Sequence, residues 1–279
     1  MTPLVVGAVL FAALLHATWN AVLRARADRL WSITVMSLMS GVLGAAAAIF
    51  LPAPAASSWP FIALSASLQI AYCLALVRAY RHGLLGEIYP IARGASPLLV
   101  TLGAWLLAGE RLPPVALAGI ALVSAGIVGI AFGRARLDGR SLLAALATGL
   151  LIAAYTVTDG LGSRLSGAAP SYAAWLFLAQ GLPMPLVYFA IRRAFPPLAL
   201  DGDTLKSLAG GAFSLVAYGV VIWALSRSPM GQVSALRETG ILFALVIGVL
   251  FLKERPRPRQ IVSGAMIAGG AFLLASAGA

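Results

Sequence analysis

Apolar runs of about 20 residues, long enough for a helix to cross the roughly 30 Å hydrocarbon layer of a bilayer, recur ten times along this chain. They fall at 3–24, 30–51, 59–81, 86–109, 113–133, 140–162, 170–192, 205–227, 231–252 and 257–276. The connections between them are short, the longest running from Phe195 to Lys206. This pattern predicts an all-α membrane protein of ten transmembrane helices with no room for a separate soluble domain. The first run is followed by arginine-rich sequence and not by a cleavage site, so it is expected to be a retained helix and not a signal peptide.

Two of the runs repeat each other. Residues 86–111 read GEIYPIARGASPLLVTLGAWLLAGER and residues 230–255 read MGQVSALRETGILFALVIGVLFLKER. In each, an arginine (Arg93, Arg237) stands seventeen positions before a glutamate (Glu110, Glu254). The match extends outward. His16, Thr18 and Asn20 fall opposite Tyr155, Val157 and Asp159, Ala71-Tyr72 opposite Ala217-Tyr218, and GERLPP at 109–114 opposite KERPRP at 253–258. The chain is therefore expected to consist of two five-helix repeats, 1–133 and 140–279. Five is odd, so the second copy must enter the membrane from the other side, giving two inverted repeats around a central cavity. Duplicated helical proteins also include channels and membrane scaffolds, and those readings stay open at this point.

Composition narrows the class. The chain of 279 residues is 61% hydrophobic and 10% charged, a membrane composition and not that of a soluble domain. Its net charge of +11 is not a nucleic-acid signal, because the basic residues are distributed by loop. The odd-numbered loops hold fifteen lysines and arginines and the even-numbered loops three, Arg111, Arg164 and Arg227. By the positive-inside rule the odd loops are cytoplasmic and both termini lie outside. Cys73 is the only cysteine, which leaves no disulfide within one chain. No HExxH, nucleophile elbow or Walker loop is present, so no enzyme, cofactor or metal site is expected, and transport would draw on a gradient or on the solute itself. The expected partners are the lipid bilayer and a small-molecule substrate, with no nucleic acid. A monomer suffices for the cavity, and the oligomeric state is left open.

Polar residues inside the runs mark the candidate path, because lipid offers them no hydrogen-bond partner. His16, Trp19 and Asn20 share one helical stripe, and Tyr155, Thr158 and Asp159 share the matching stripe of the sixth span. Helix packing of His16 and an interfacial place for Asp159 are the alternatives. The fourth span carries Tyr89 and Arg93 with Pro90 and Pro97, which are expected to interrupt it; the ninth carries Arg237 and Glu238. A charge at the bilayer centre costs about 2.5–3.5 kcal/mol or more, so these arginines are expected to face a cavity, or else a structural salt-bridge network. Adjacent Arg237 and Glu238 point about 100° apart on a helix and are expected to hold different partners. Gln69 and Tyr72 of the third span and Ser214 and Tyr218 of the eighth complete the set. Trp31, Trp59 and Trp175, near span ends, read as interfacial belt residues. Spans 5 and 10, with Gly129/Gly133 and Ala265/Gly269 spacings, read with spans 2 and 7 as scaffold or a dimer face. The Glu110-Arg111 and Glu254-Arg255 pairs are expected to fix their own hairpins.

The fourth-span YPIARGASPLL ending in LLAGER, the ninth-span VSALRETGILFALVIGVLFLKER and the first-helix HATWN resemble the drug/metabolite transporter superfamily. The likeness is to its ten-helix members built from two EamA-type repeats, with bacterial aromatic amino-acid exporters as neighbours. Where many relatives carry a tryptophan-glycine pair in the first helix, this chain has HATWN. The resemblance implies a cavity formed by spans 1, 3, 4, 6, 8 and 9 and efflux of small metabolites across the bacterial inner membrane. The leading expectation is a secondary carrier exporting amino acids or related metabolites by alternating access. In it Trp19, Tyr72, Tyr89 and Tyr218 give aromatic contact, Arg93 and Arg237 bind carboxylate, and His16 or Glu238 handles a proton. A carrier for an anionic metabolite such as a phosphonate or sugar phosphate is the alternative, with a channel or a non-transporting scaffold as readings of another class.

Overall fold

The computed structural model describes residues 1–23, 28–81, 85–131, 139–199, 201–253 and 256–277, with the side chains at 19–23, 79–81, 85–89, 131, 140 and 251–252 outside the description. Among the described residues every regular element is helical. The first half of the chain holds α1 (Pro3–Leu23), α2 (Arg29–Phe50), α3 (Trp59–Arg81), α4 (Leu85–Ala108) and α5 (Pro114–Ala131). The second holds α6 (Gly139–Leu165), α7 (Ala169–Gly181), α8 (Met184–Arg192), α9 (Gly202–Leu225), α10 (Met230–Arg237), α11 (Gly240–Leu252) and α12 (Pro258–Ser276). Eight segments are long and apolar enough to cross a membrane, and two shorter apolar helices, Pro3–Thr18 and Pro114–Ile130, complete the ten.

Two spans expected to be continuous are broken, and one expected to be interrupted is whole. The seventh span divides into α7 and α8 at Pro183, which has no N–H to continue the ladder; Leu186 and Val187 restart it by donating to the Pro183 carbonyl. The ninth divides into α10 and α11 at Glu238-Thr239. There Glu238 and Thr239 donate to Ala235 and Leu236, and Ile241 and Leu242 to Glu238 and Thr239, all three residues back. Such tight turns within a helix often mark a functional hinge. In contrast α4 runs through Pro90 and Pro97. Pro97 cannot donate to the Arg93 carbonyl, and the Ser96 hydroxyl does so instead at 3.1 Å.

The two halves interlock through paired contacts. α4 packs on α6 while α1 packs on α10 and α11; α3 packs on α6 while α1 packs on α9. α2 meets α7, and α5 meets α12. Exchanging the first five spans for the last five turns each of these contacts into its mate, the pairing that a two-fold arrangement of the halves generates. Glycine makes the last two seams close. A Cβ on Gly41 would lie 2.9 Å from the Leu182 nitrogen, and one on Gly119 or Gly126 would lie 2.9 Å from the carbonyl of Gly270 or Ser263. Gly129 likewise faces the Ser263 hydroxyl, while Gly133 lies outside the described residues. These small residues are spent joining the halves within one chain, as a scaffold.

Connections of the same parity meet at the same end. Arg192, the last residue of α8, pairs with Asp28 before α2 at 3.0 Å, and Trp31 donates from Nε1 to the Pro197 carbonyl at 2.8 Å. Trp31 is 7% exposed, so it is a packed tryptophan and not the belt residue its position near a span end suggested. At the opposite end Ala55 donates to the Ser166 carbonyl, joining the second and sixth connections.

Glu110 and Arg164 close that end further. Arg164, in the last turn of α6, donates to Glu110 at 2.6 Å and to the carbonyls of Leu225 and Ser228, while Glu110 accepts from the Met230 amide at 2.8 Å. Glu110 therefore ties the α4–α5 connection to α6 and to the start of α10. It does not fix its own hairpin, because the exposed donors at the start of α10 and the guanidinium offer it stronger partners. Its counterparts Glu254 and Arg255 lie outside the described residues.

Candidate functional site

Two buried arginines from different halves converge on one carboxylate. Arg93 lies eight residues into α4 and Arg237 seven residues past Met230, about 12 and 10 Å along their helices at 1.5 Å per residue. Both are more than nine-tenths buried, and Glu238 is fully buried. Arg93 Nε stands 2.7 Å from Glu238 Oε2, and Arg237 Nη2 stands 3.5 Å from Glu238 Oε1. Glu238 thus holds Arg93 as its nearer partner and also touches its neighbour Arg237. The tight turn at 238–239 accounts for this departure from the expected divergence, since it replaces the regular 100° step of a helix.

The break places these charges. Low helix propensity in the Thr239-Gly240 pair favours a turn there, and Gly240 lets α1 approach, a Cβ on it lying 3.1 Å from the Ala13 carbonyl. The Thr239 hydroxyl turns back to Leu236 at 2.7 Å. Nε and Nη2 of Arg237, and both oxygens of Glu238, are buried without a hydrogen bond of good geometry. A buried guanidinium edge in that state is a ready receptor for a planar anion.

Beside this triad lies a second polar group. Asp159 on α6 has no exposed surface. It accepts from Tyr172 of α7 at 3.0 Å, from Tyr218 of α9 at 2.5 Å and from Gln69 of α3 at 3.4 Å. Gln69 in turn donates to Ser65 at 3.1 Å. One carboxylate therefore gathers donors from three other helices in both halves, and only a fully partnered acid of this kind is tolerable at such depth. Tyr218 bridges the two groups, because the Arg237 guanidinium carbon stands 5.9 Å from the centre of its ring.

Aromatic rings line the junction in sequence. Tyr72 and Tyr155 are edge-to-face at 5.8 Å, Tyr155 and Tyr218 at 6.0 Å, and Tyr218 and Phe177 at 6.3 Å. They come from α3, α6, α9 and α7, forming a wall of rings with hydroxyl tips that meets both the guanidinium and the carboxylate. His16 on α1 is half-buried, within electrostatic reach of Arg93 and Arg237.

The comparisons with known proteins agree with this architecture. A solved crystal structure of a protein superposes with a TM-score of 0.75 at 21% identity, covering 97% of this chain and 94% of that one, which shows the shared fold. Among curated proteins no sequence match is found. The EamA-like transporter family matches residues 139–276. The chain thus carries an EamA-like transporter domain over its second half, which supports membership of the drug/metabolite transporter superfamily. It is accordingly a multi-pass membrane protein of a family that carries small molecules.

In this EamA-like transporter the structure brings together most of the residues singled out from sequence. Gln69, Tyr72, Tyr155, Asp159 and Tyr218 form one network, and Arg93, Arg237 and Glu238 the adjoining triad. Asp159 is interior and not interfacial. Thr158 is not joined to the group: its hydroxyl bonds the Ala154 carbonyl of its own helix at 2.7 Å. Ser214, one turn from Tyr218, is half-buried and carries none of the network's hydrogen bonds. The side chains of Trp19, Asn20 and Tyr89 lie outside the description. Sequence reading missed Tyr172, Phe177 and Ser65. The first two sit on the seventh span, assigned to scaffold; the signal was a tyrosine and a phenylalanine five apart in a span that also carries Trp175, Gln180 and Tyr188.

Proposed function

We propose that this chain is a secondary carrier that exports amino acids or related small zwitterionic metabolites across the bacterial inner membrane by alternating access. Its two repeats, 1–133 and 140–279, are inverted copies that enclose the path, with the odd-numbered loops cytoplasmic and both termini periplasmic. The observation that carries this reading is the convergence of Arg93 and Arg237, from different halves, on the single buried Glu238, beside a wall of tyrosines. A guanidinium edge without a hydrogen bond receives a carboxylate, and the rings of Tyr72, Tyr155 and Tyr218 receive an apolar or planar side chain. The contact between halves at this point supports a rocking mechanism, since a solute held by α4 and α10 together touches both bodies. His16 and Glu238 are the groups assigned to proton handling. Counterflow of radiolabelled amino acids in proteoliposomes tests the proposal: saturable exchange is expected, and its absence across all amino acids overturns it.

A carrier for a phosphonate or sugar phosphate is the second reading, favoured by two arginines meeting in one place. Exchange of phosphate esters in the same vesicles, with no amino-acid counterflow, would establish it instead.

A further inference from the structure

The charges that meet between the halves cancel. Among the described side chains, Arg93 and Arg237 contribute two basic groups to the cluster, and Glu238 and Asp159 two acidic ones. In a region of low dielectric an uncompensated charge is costly, so a solute that is itself neutral overall leaves the cluster balanced. A simple carboxylate leaves it one charge short, and a phosphate ester up to two.

The two kinds of charge are also differently available. Asp159 is spent on hydroxyl and amide donors from three helices, so its lone pairs are already claimed. Glu238 is not: both its oxygens are buried and lack a hydrogen bond, although the arginines stand at ion-pair distance. Arg237 likewise presents Nε and Nη2, the edge of a guanidinium that grips a carboxylate through two parallel bonds. The acceptor Oε1 and the donor Nη2 are 3.5 Å apart. An ammonium and a carboxylate carried on one carbon present complementary charges at about the same separation, roughly one hydrogen-bond length.

We propose that Glu238 sets the charge selectivity of the site, serving as the pole for a substrate ammonium while Arg237 takes the adjacent carboxylate, so that α-amino acids are preferred over deaminated monoanions. This rests on the carrier reading above and names the substrate class of that site. Removing the Glu238 charge leaves a cluster with one excess positive charge and no acceptor for an ammonium, which favours plain carboxylates.

The test is competition in proteoliposomes against counterflow of radiolabelled phenylalanine, with 3-phenylpropionate lacking the ammonium and phenethylamine lacking the carboxylate. The wild-type protein is expected to prefer phenylalanine over either analogue by at least about tenfold, the worth of one charged contact. In Glu238→Gln the preference for phenylalanine over 3-phenylpropionate is expected to fall at least about tenfold, and Glu238→Asp to retain it. Arg237→Gln reads the other pole independently, with the preference over phenethylamine collapsing. Thermal-shift competition with the same three compounds on purified protein reports binding where flux is lost. If wild type carries phenylalanine and Glu238→Gln keeps the wild-type ratio, the role of Glu238 is overturned while the carrier reading stands. If wild type neither binds nor exchanges any amino acid, the carrier reading itself falls.

Discussion

Arg164 at the end of α6 holds Glu110, beyond the end of α4, at 2.6 Å, and through it the first amide of α10. Three more hydrogen bonds at the same end, from Arg164 to Leu225 and Ser228 and from Ala55 to Ser166, bind all four even-numbered connections into one cap. If the halves rock, this cap must open when that face admits solute. In a Cys73→Ala background, a cysteine at Ser228 is expected to react with a membrane-impermeant maleimide several-fold faster in Glu110→Gln than with Glu110 intact. The charge-exchanged pair Glu110→Arg, Arg164→Glu is expected to slow it again. An unchanged labelling rate contradicts a closing role for the pair.

The seams between halves give a stability contrast. A Cβ on Gly181 would strike the Ser37 carbonyl and the backbone of Gly41, whereas one on Gly7 would meet nothing within 4 Å. Gly181→Ala is therefore expected to destabilise the protein by about 1–3 kcal/mol through overpacking, and Gly7→Ala to be neutral or slightly stabilising. Thermal unfolding in detergent compares the two. Equal midpoints would mean that the α2–α7 seam is not the close contact described.

Asp159 is expected to matter more for architecture than for direct contact with solute. Asp159→Ala leaves the buried hydroxyls of Tyr172 and Tyr218 without their acceptor, at about 1–3 kcal/mol for each unsatisfied group. Tyr172→Phe removes one donor from a carboxylate that retains the others and should cost less. Detergent-phase unfolding of both variants checks the order, and a larger loss in Tyr172→Phe would contradict the assigned hierarchy.

Much of this is legible in the sequence, for a specific physical reason. The ten spans follow from the cost of exposing a backbone to lipid, which forces long apolar runs, and buried arginines stand out in them because charge is so costly there. The breaks did not read correctly. Pro90 and Pro97 looked like interruptions, but Ser96 satisfies the freed Arg93 carbonyl and α4 continues. The real division of the ninth span rests on hydrogen-bond register around Glu238 and Thr239, which hydropathy does not carry. Tyr172 was overlooked because a tyrosine in an apolar run counts toward the run; only tertiary packing shows its hydroxyl reaching Asp159. Glu110 was paired with its sequence neighbour, although its partner is 54 residues away.

The proposed orientation rests on the loop charges. A reporter active only in the periplasm, fused after residue 279, is expected to be active, and one inserted in the loop after Arg192 to be silent. The reverse pattern would invert the assigned topology while leaving the paired packing intact.

The central claim is that the buried arginines receive the solute's carboxylate. Counterflow of a radiolabelled amino acid in proteoliposomes, comparing wild type with Arg237→Gln and with Arg227→Gln, measures it most directly. Arg227 stands over Trp223 at the far end of α9, with its guanidinium carbon 5.1 Å from that ring. Saturable exchange that survives in Arg227→Gln and drops at least about tenfold in Arg237→Gln is the predicted result. Equal exchange in the two variants, or none in the wild type, would contradict it.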